Sequence, residues 1–212
     1  LNETPVIQLV LDSVEADDLI SLVVQDNNYK GWHKIIVSSD KDFYQLCDDE
    51  TIVHRPIQKE TLNLPRVVEQ FGIHPRNFAL ARAIAGDKSD NLPGVPGVGL
   101  STIARRFPFL SESRDYTLDD IVEACEQVEK PLKVHDGIVD SVDIIEQNYK
   151  MMQLYFPLVS VQGKQRVKYT LDNFEFEFNK TEIDKMMTYD GFGTINFADL
   201  YAIFRRICVD NS

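Results

Sequence analysis

The sequence predicts an α/β protein with a parallel central sheet and a helical attachment. A chain of 212 residues that is 43% hydrophobic can bury a full core. Short apolar runs at residues 6–11 and 34–37 have the length of buried strands, and the segment between them shows helical apolar spacing at Leu19, Ile20, Leu22, Val23 and Val24. Strand, helix and strand in this order predict parallel pairing.

Composition limits the class of protein. The three cysteines, Cys47, Cys125 and Cys208, lie far apart without a CxxC pair, which argues against a zinc site and against a disulfide framework. Neither a signal peptide nor an apolar run approaching the roughly 18 residues of a spanning helix is present. We therefore expect a cytoplasmic protein without a membrane partner.

Seven acidic residues form three short clusters, each at a predicted strand or helix end. The clusters consist of Glu15, Asp17 and Asp18, then Asp40 and Asp42, then Asp87 and Asp90. Hard carboxylate oxygens favour Mg²⁺ or Mn²⁺ over zinc. Two such ions roughly 4 Å apart can activate a water and stabilise the leaving oxygen of a phosphodiester. The pattern favours a metal-dependent hydrolase.

Simpler roles for some of these acids stay open. Glu15 and Asp18 suit the N-terminus of the first helix electrostatically, with Ser13 as its expected cap. Asp40 is a candidate cap for a short helix at residues 43–46. Neither role requires a metal.

A glycine-rich turn follows the third cluster directly. Gly94, Gly97 and Gly99 permit positive φ and close backbone approach, and residues 100–107 are predicted to form a short helix. Such a loop can hold a phosphate with backbone N–H groups. The whole chain has a net charge of −12, but residues 51–106 are net basic through Arg55, Lys59, Arg66, Arg76, Arg82, Lys88, Arg105 and Arg106.

The rest of the chain predicts further strands and helices, and the whole chain divides into three regions. Residues 51–56 and 61–64 are expected to form a strand hairpin, residues 65–71, 77–85, 118–128 and 138–156 helices, residues 165–178 extended chain, and residues 182–187 and 197–209 closing helices. We expect residues 1–64 to belong to a nuclease core, 65–135 to a helical DNA-binding subdomain, and 136–212 to a helical region packing on the core.

The acidic blocks and the turn together resemble the flap endonuclease and 5′-to-3′ exonuclease family. The blocks are Val-Glu-Ala-Asp-Asp at residues 14–18, Ser-Asp-x-Asp at 39–42 and Gly-Asp-x-x-Asp at 86–90, and residues 92–103 resemble a helix-hairpin-helix. The likeness covers about residues 6–107. Residues 148–150 and the helical tail are similar to the bacteriophage T4-type RNase H branch of the family. The resemblance implies a PIN or 5′-nuclease-like fold.

The resemblance implies a Mg²⁺-dependent, structure-specific 5′ nuclease that removes RNA primers or 5′ flaps in phage DNA replication. Its substrates would be branched or nicked duplex DNA and RNA/DNA hybrid with a 5′ end, its partners a replication clamp or single-strand-binding protein, and its location the host cytoplasm. Glu15, Asp17 and Asp18 would lie mainly at the catalytic metal. Asp40 and Asp42, with Asp87 and Asp90, would hold the other metal; the first five would be the catalytic residues.

The same resemblance implies a duplex anchor at the turn. The DNA-binding residues would be Lys88, Gly94, Val95, Gly97, Val98, Gly99, Ser101, Thr102 and Arg105. Backbone carbonyls around Val95 and Val98 would bind a K⁺ ion. Ser101 stands where relatives often carry a basic residue, so the phosphate grip is expected to depend on backbone N–H groups.

One departure from the family leaves two functions open. Family members begin with a strand carrying an aspartate, followed by a second ligating aspartate and a basic helical arch. These 212 residues contain none of the three. We expect an upstream segment or a separate N-terminal polypeptide to complete the site. The alternative is a catalytically incomplete DNA-binding subunit. A third class, a PIN-type single-strand ribonuclease, gives no reason for the turn.

Overall fold

The structure is a computed structural model and describes residues 2–193 and 195–210. These residues form two compact units, one of residues 15–158 and one of residues 2–14 with 159–210. One hydrophobic core in the first unit contains residues from Ile36 to Leu154, so parts of all three predicted segments, 1–64, 65–135 and 136–212, lie in that unit. The division into those segments stays a prediction.

A small mixed sheet lies in the unit of residues 15–158. Helix α1 (Ala16–Val24) is followed by β1 (Lys34–Val37), β2 (Thr51–Arg55) and β3 (Glu60–Leu62). β1 pairs in parallel with β2, and β2 pairs antiparallel with β3. The predicted strand hairpin is confirmed. The parallel pairing was predicted between residues 34–37 and the run at 6–11, but β1 makes it with β2 instead.

Strand β1 differs from the predicted central, buried strand. Within the described residues it lies at the edge of the sheet, and the side chains of Ile35 and Val37 are 61% and 64% exposed. Only Ile36 of the β1 aliphatic residues faces the core, at 4% exposure. An apolar run by itself does not distinguish a strand covered on both faces from one covered on one face.

Four further expectations about secondary structure are wrong. Residues 6–11 are not a strand, and Ser13, with φ of 61°, is not the cap of α1, whose N-cap position is Glu15. In place of one helix at residues 138–156, the chain forms α6 (Lys133–Val139) and α7 (Val142–Met152). The first helix ends at Asp140 and the second begins at Ser141, although the apolar spacing continues across both. Residues 165–178 begin inside helix α8 (Val161–Asp172), whose first turn is capped by the Ser160 hydroxyl.

Helix α3 (Pro75–Ala85) is the centre of the core. Every residue from Pro75 to Ile84 except Arg76 is buried. It packs against α2 (Leu64–Phe71), α4 (Leu100–Arg106), α7 and the 3-10 helix Asp42–Leu46. Phe78 of α3 meets the rings of Tyr44 and Phe71 at centroid distances of 5.5 and 5.3 Å. Helix α3 therefore contacts both the 3-10 helix that starts at the predicted ligand Asp42 and the helix that follows the glycine-rich turn.

The buried amide of Asn77 fixes the loop that follows α4. This loop contains the 3-10 helix Pro108–Ser111 and leads to α5 (Leu118–Glu126). The side-chain nitrogen of Asn77 donates to the carbonyl oxygens of Leu110, Glu112 and Arg114 at 3.0 to 3.2 Å. Its oxygen accepts the Tyr116 N–H at 3.0 Å. One buried side chain thereby replaces several main-chain partners of an exposed loop.

Two glycines and an asparagine hold the turn against α3. A Cβ on Gly94 would lie 2.0 Å from the Ala85 carbonyl oxygen, and one on Gly86 would lie 2.2 Å from the Gly94 nitrogen. The buried Asn148 of α7 donates to the carbonyls of Ala83 and Pro93, at 3.0 and 2.8 Å. The backbone of the turn is packed on the C-terminal end of α3 at contact distance.

The second unit is helical. In it α8, α9 (Lys180–Tyr189) and α10 (Phe197–Asp210) follow one another, which confirms the two closing helices. A small core forms around Ile183, Tyr201 and Phe204. Among the described residues of both units, every helix is too short or too polar to cross a membrane.

Replacing Gly94 with alanine should destabilise the protein by about 3 kcal/mol, because the added Cβ meets backbone atoms that no rotamer change can move. Gly99→Ala is the matched control: its φ is −118° and a Cβ there meets nothing within 4 Å, so its cost should stay below about 1 kcal/mol. Urea unfolding followed by circular dichroism measures both. Equal stability of the two variants would contradict the contact between Gly94 and α3.

Candidate active site

The Asp40 and Asp42 block follows the end of β1, as predicted. The Asp40 N–H donates to the Ser38 hydroxyl at 3.1 Å, and an Asp40 carboxylate oxygen accepts the Asp42 N–H at 2.9 Å. The 3-10 helix that starts at Asp42 is anchored in the core by the buried rings of Phe43 and Tyr44. Asp40 therefore does not cap this helix, whose N-cap position is Lys41, but holds the turn that leads into it, and one carboxylate oxygen of Asp40 makes that bond.

The first acidic block lies at the start of α1. Asp18 accepts the backbone N–H of Leu158 at 2.8 Å. One turn further along, the Ser21 hydroxyl and the Gln25 amide both donate to the Leu154 carbonyl. These bonds fix the orientation of α1 and leave Glu15 and Asp17 at its N-terminal end.

Asp17 connects the three acidic blocks electrostatically. Partial burial raises the pKa of Asp17, and repulsion from Asp40, Glu15, Asp18 and Asp90 raises it further. These neighbours come from all three blocks of the sequence. We call the five residues the Asp17 group. Burial first, and then repulsion by these four carboxylates, disfavour the ionised form of Asp17, and a bound cation would favour it.

The two remaining predicted ligands, Asp42 and Asp87, are joined by Arg82. The Arg82 Nε donates to Asp42 Oδ1 at 2.9 Å, and the Nη2 atom lies 2.8 Å from the same oxygen and 2.5 Å from Asp87 Oδ2. The three side chains are only 10%, 13% and 15% exposed. We call this contact the arginine bridge. It holds the second acidic block to the third.

The arginine bridge changes the protonation of its members. Hydrogen bonds from Ser89 and from Arg82 lower the pKa of Asp87 to about 2. Burial raises the pKa of Asp42 to about 6, against the attraction of Arg82. Burial also disfavours the charge on Arg82, but the two aspartates outweigh it and its pKa is raised.

The carboxylates have the chemistry of a magnesium site without forming a closed one. Hard oxygen donors and the repulsion around Asp17 fit a divalent cation. Within residues 2–193 and 195–210, however, no three carboxylates, imidazoles or thiols lie close enough together to hold an ion. The arginine bridge occupies two of the seven predicted ligands. The metal assignment of these acids accordingly stays a prediction.

The turn presents some of its predicted DNA-binding residues and buries others. Lys88, Ser101 and Arg105 are exposed, Thr102 is partly exposed, and the space where side chains of Gly97 and Gly99 would lie is open. Gly97 has φ of 76°, which favours glycine, whereas Gly99 has φ of −118°, which other residues also adopt.

Other predicted contacts of the turn serve packing. Val95 and Val98 are 4% and 6% exposed, and the Val95 carbonyl, one of the predicted K⁺ ligands, already accepts the Val98 N–H at 3.0 Å. At Gly94 the close approach to the backbone of Ala85 and Gly86 already requires glycine, and a phosphate contact there stays a prediction.

Sequence reasoning missed the roles of Arg82 and Asn148. Arg82 was counted among the basic residues available to phosphate, but it is buried in the arginine bridge. A signal was present: an arginine inside the apolar helix sequence Phe-Ala-Leu-Ala-Arg-Ala-Ile-Ala needs a buried acidic partner. No such local signal marks Asn148, because its partners lie 55 and 65 residues away.

Residues 1–72 match the family model of the 5′-3′ exonuclease, N-terminal resolvase-like domain. The chain is 30% identical to a DNA polymerase I of Rhizobium leguminosarum over 143 residues, which are 68% of the chain and 14% of that protein. It is 28% identical to a 5′-3′ exonuclease of Aquifex aeolicus over 192 residues, covering 84% of the chain and 62% of the relative. The chain thus spans less than two thirds of either protein.

Solved structures of the bacteriophage T5 5′-exonuclease have the same fold. A mutant of that enzyme superposes with a TM-score of 0.61 at 22% identity, over 76% of this chain and 67% of that one. The T5 flap endonuclease in a pseudo-enzyme-product complex with DNA and metal ions gives a TM-score of 0.61 at 19% identity, over 76% and 60% of the two chains. The predicted α/β, 5′-nuclease-like fold is confirmed. The chain is therefore similar to 5′-3′ exonucleases in sequence, and residues 1–72 match their N-terminal resolvase-like domain.

Proposed function

We propose that this chain carries the metal-binding and duplex-binding parts of a divalent-metal-dependent 5′ nuclease, a phosphodiesterase acting as a 5′-to-3′ exonuclease or flap endonuclease. The observation that carries the proposal is the Asp17 group, in which carboxylates from three separate blocks of the sequence repel one another. The similarity to known proteins supports it, because the relatives are named as a 5′-3′ exonuclease and as a DNA polymerase I.

Within this proposal, the Asp17 group binds one Mg²⁺ or Mn²⁺ ion, and Asp42 and Asp87 belong to a second. This grouping differs from the one that the family resemblance implies, because Asp40 and Asp90 repel Asp17 and are therefore placed at its ion. When bound, the ions would supply an activated water and stabilise the leaving oxygen of a phosphodiester. The protein's own contribution is to orient the carboxylates through the bonds of Asp40 to its neighbours and of Asp18 to Leu158. The substrates proposed are branched or nicked duplex DNA and RNA/DNA hybrid with a 5′ end.

A second function, a DNA-binding subunit that is catalytically incomplete alone, is favoured by one observation. The described residues contain no group of three metal ligands at binding distance. A 5′-flap substrate labelled at its 5′ end, incubated with this chain in Mg²⁺, separates the two functions. Cleavage supports the nuclease, whereas binding without cleavage, both by the chain alone and with added upstream polypeptide, supports the DNA-binding subunit.

Asp17→Asn should abolish cleavage of the flap substrate while raising the melting temperature in EDTA by a few degrees. The opposite signs follow from one cause, since the charge that is repelled by four carboxylates in the metal-free protein is the one needed for the cation. Glu69→Gln, an exposed change on α2, is the control and should alter neither quantity. A melting temperature that falls together with activity would instead indicate a structural role for Asp17.

Gly97→Val should weaken binding to every duplex sequence alike. A valine cannot readily adopt φ of 76°, and its side chain would occupy the open face of the turn, where phosphate contacts carry no base information. Gly31→Val, at φ of 86° with the same open surroundings before β1, tests whether backbone strain alone produces the loss.

Fluorescence anisotropy with flap DNA at several KCl concentrations measures this effect. The wild-type slope should correspond to a few phosphates, at about −0.9 per contact on B-DNA. Unchanged affinity in a folded Gly97→Val protein, or a loss confined to one sequence, would show that the turn is not the duplex anchor.

A further inference from the structure

The arginine bridge raises a question about the metal-free protein. Asp42 and Asp87 are 13% and 15% exposed on their side chains, too little for water to stabilise two adjacent carboxylates. Arg82 lies between them and contacts both. A guanidinium carries one positive charge, while a divalent cation carries two and binds the same oxygen atoms.

We propose that Arg82 is a positioning residue that acts as an internal cation: it holds Asp42 and Asp87 together in the metal-free protein and competes with a divalent cation for their oxygens. This inference rests on the proposed function, because it takes Asp42 and Asp87 as metal ligands. It goes beyond that function by assigning to a buried arginine control over the affinity of the site.

The geometry supports competition over simple neutralisation. Asp42 Oδ1 receives both the Nε and the Nη2 of Arg82, at 2.9 and 2.8 Å, and Asp87 Oδ2 receives the Nη2 at 2.5 Å. The oxygen of each carboxylate that faces the other is therefore engaged by the arginine. Asp87 Oδ1 is engaged as well, by the N–H and the hydroxyl of Ser89. A cation that uses either facing oxygen must displace a nitrogen of Arg82.

The backbone around Arg82 limits its escape. α3 is buried on both sides of it, and the Arg82 carbonyl accepts the Gly86 N–H that ends the helix. Arg82 is 8% exposed, so a displaced guanidinium has little solvent to enter. Displacement by a metal therefore costs the bonds to both aspartates without freeing the helix, and the cost is subtracted from the metal's affinity.

The experiment measures Mn²⁺ binding by electron paramagnetic resonance, without DNA, for wild type, Arg82→Met and Arg82→Lys. Methionine keeps most of the apolar stem and removes the charge. We expect Arg82→Met to bind Mn²⁺ about tenfold more tightly than wild type, because a competing positive charge within hydrogen-bond distance is gone. Arg82→Lys should lie between them, since an ammonium does not match two carboxylates as a planar fork does.

Thermal unfolding in EDTA and in Mn²⁺ provides the second readout. Arg82→Met should melt below wild type in EDTA, where two buried carboxylates face each other, and should recover more of its stability on adding Mn²⁺ than wild type gains. Arg55→Met is the matched control. Arg55 pairs with Glu60 at 3.0 Å and is 14% exposed, and its loss should lower stability equally in both buffers without changing Mn²⁺ affinity.

Unchanged or weaker Mn²⁺ binding in Arg82→Met, or no Mn²⁺ binding by any of the proteins, overturns the inference. Should Arg82→Met remain unfolded in both buffers, Arg82→Lys decides: tighter binding than wild type supports competition, and equal or weaker binding overturns it. Because these measurements contain no DNA, proteins that bind Mn²⁺ in the expected order but cut no flap substrate would contradict the proposed function alone.

Discussion

The burial of nine of the eleven residues of helix α3 is the constraint on which the rest of the larger unit depends. A helix buried along most of its length can rotate or shift only if its neighbours move, because protein interiors are packed without spare volume. Its position fixes three things at once: the guanidinium of Arg82 in its last turn, Asp87 two residues beyond its end, and the start of the glycine-rich turn. The candidate site is thus an extension of core packing.

The electrostatics of the site divide the seven acids into two environments. In the Asp17 group, repulsion among carboxylates is left for a ligand to relieve. In the arginine bridge, the protein relieves it from within. The first environment attracts a cation strongly, and the second, where Arg82 already supplies a positive charge, attracts it weakly. Two metal positions in one site need not then be equivalent, since one would be filled against repulsion and the other against a resident charge.

Much of the architecture could be predicted from the sequence because it follows from local patterns. The apolar run at β1, the hairpin of β2 and β3, and helices α2 to α5 all appear where spacing and turn residues place them. The errors arose where local pattern was ambiguous. Apolar spacing continues from α6 into α7, although the helix is interrupted at Asp140 and Ser141. The residues of α8 alternate in a way that also suits a strand. Residues 6–11 have the composition of a strand but no strand partner within the described residues.

In the site, the acids were identifiable because they are clustered in sequence, whereas the partners of Arg82 lie 5 and 40 residues away and emerge only from the fold.

The loop held by Asn77 has a consequence for how this region can vary among related chains. The amide contacts main-chain atoms of Leu110, Glu112, Arg114 and Tyr116, and the residues from 111 to 115 are exposed. Substitution of those side chains leaves every bond between Asn77 and the main chain intact. Insertion or deletion of a single residue moves a carbonyl out of reach of the Asn77 amide. The segment is free in sequence and fixed in length, so it should accumulate replacements readily and gaps rarely as long as position 77 remains asparagine.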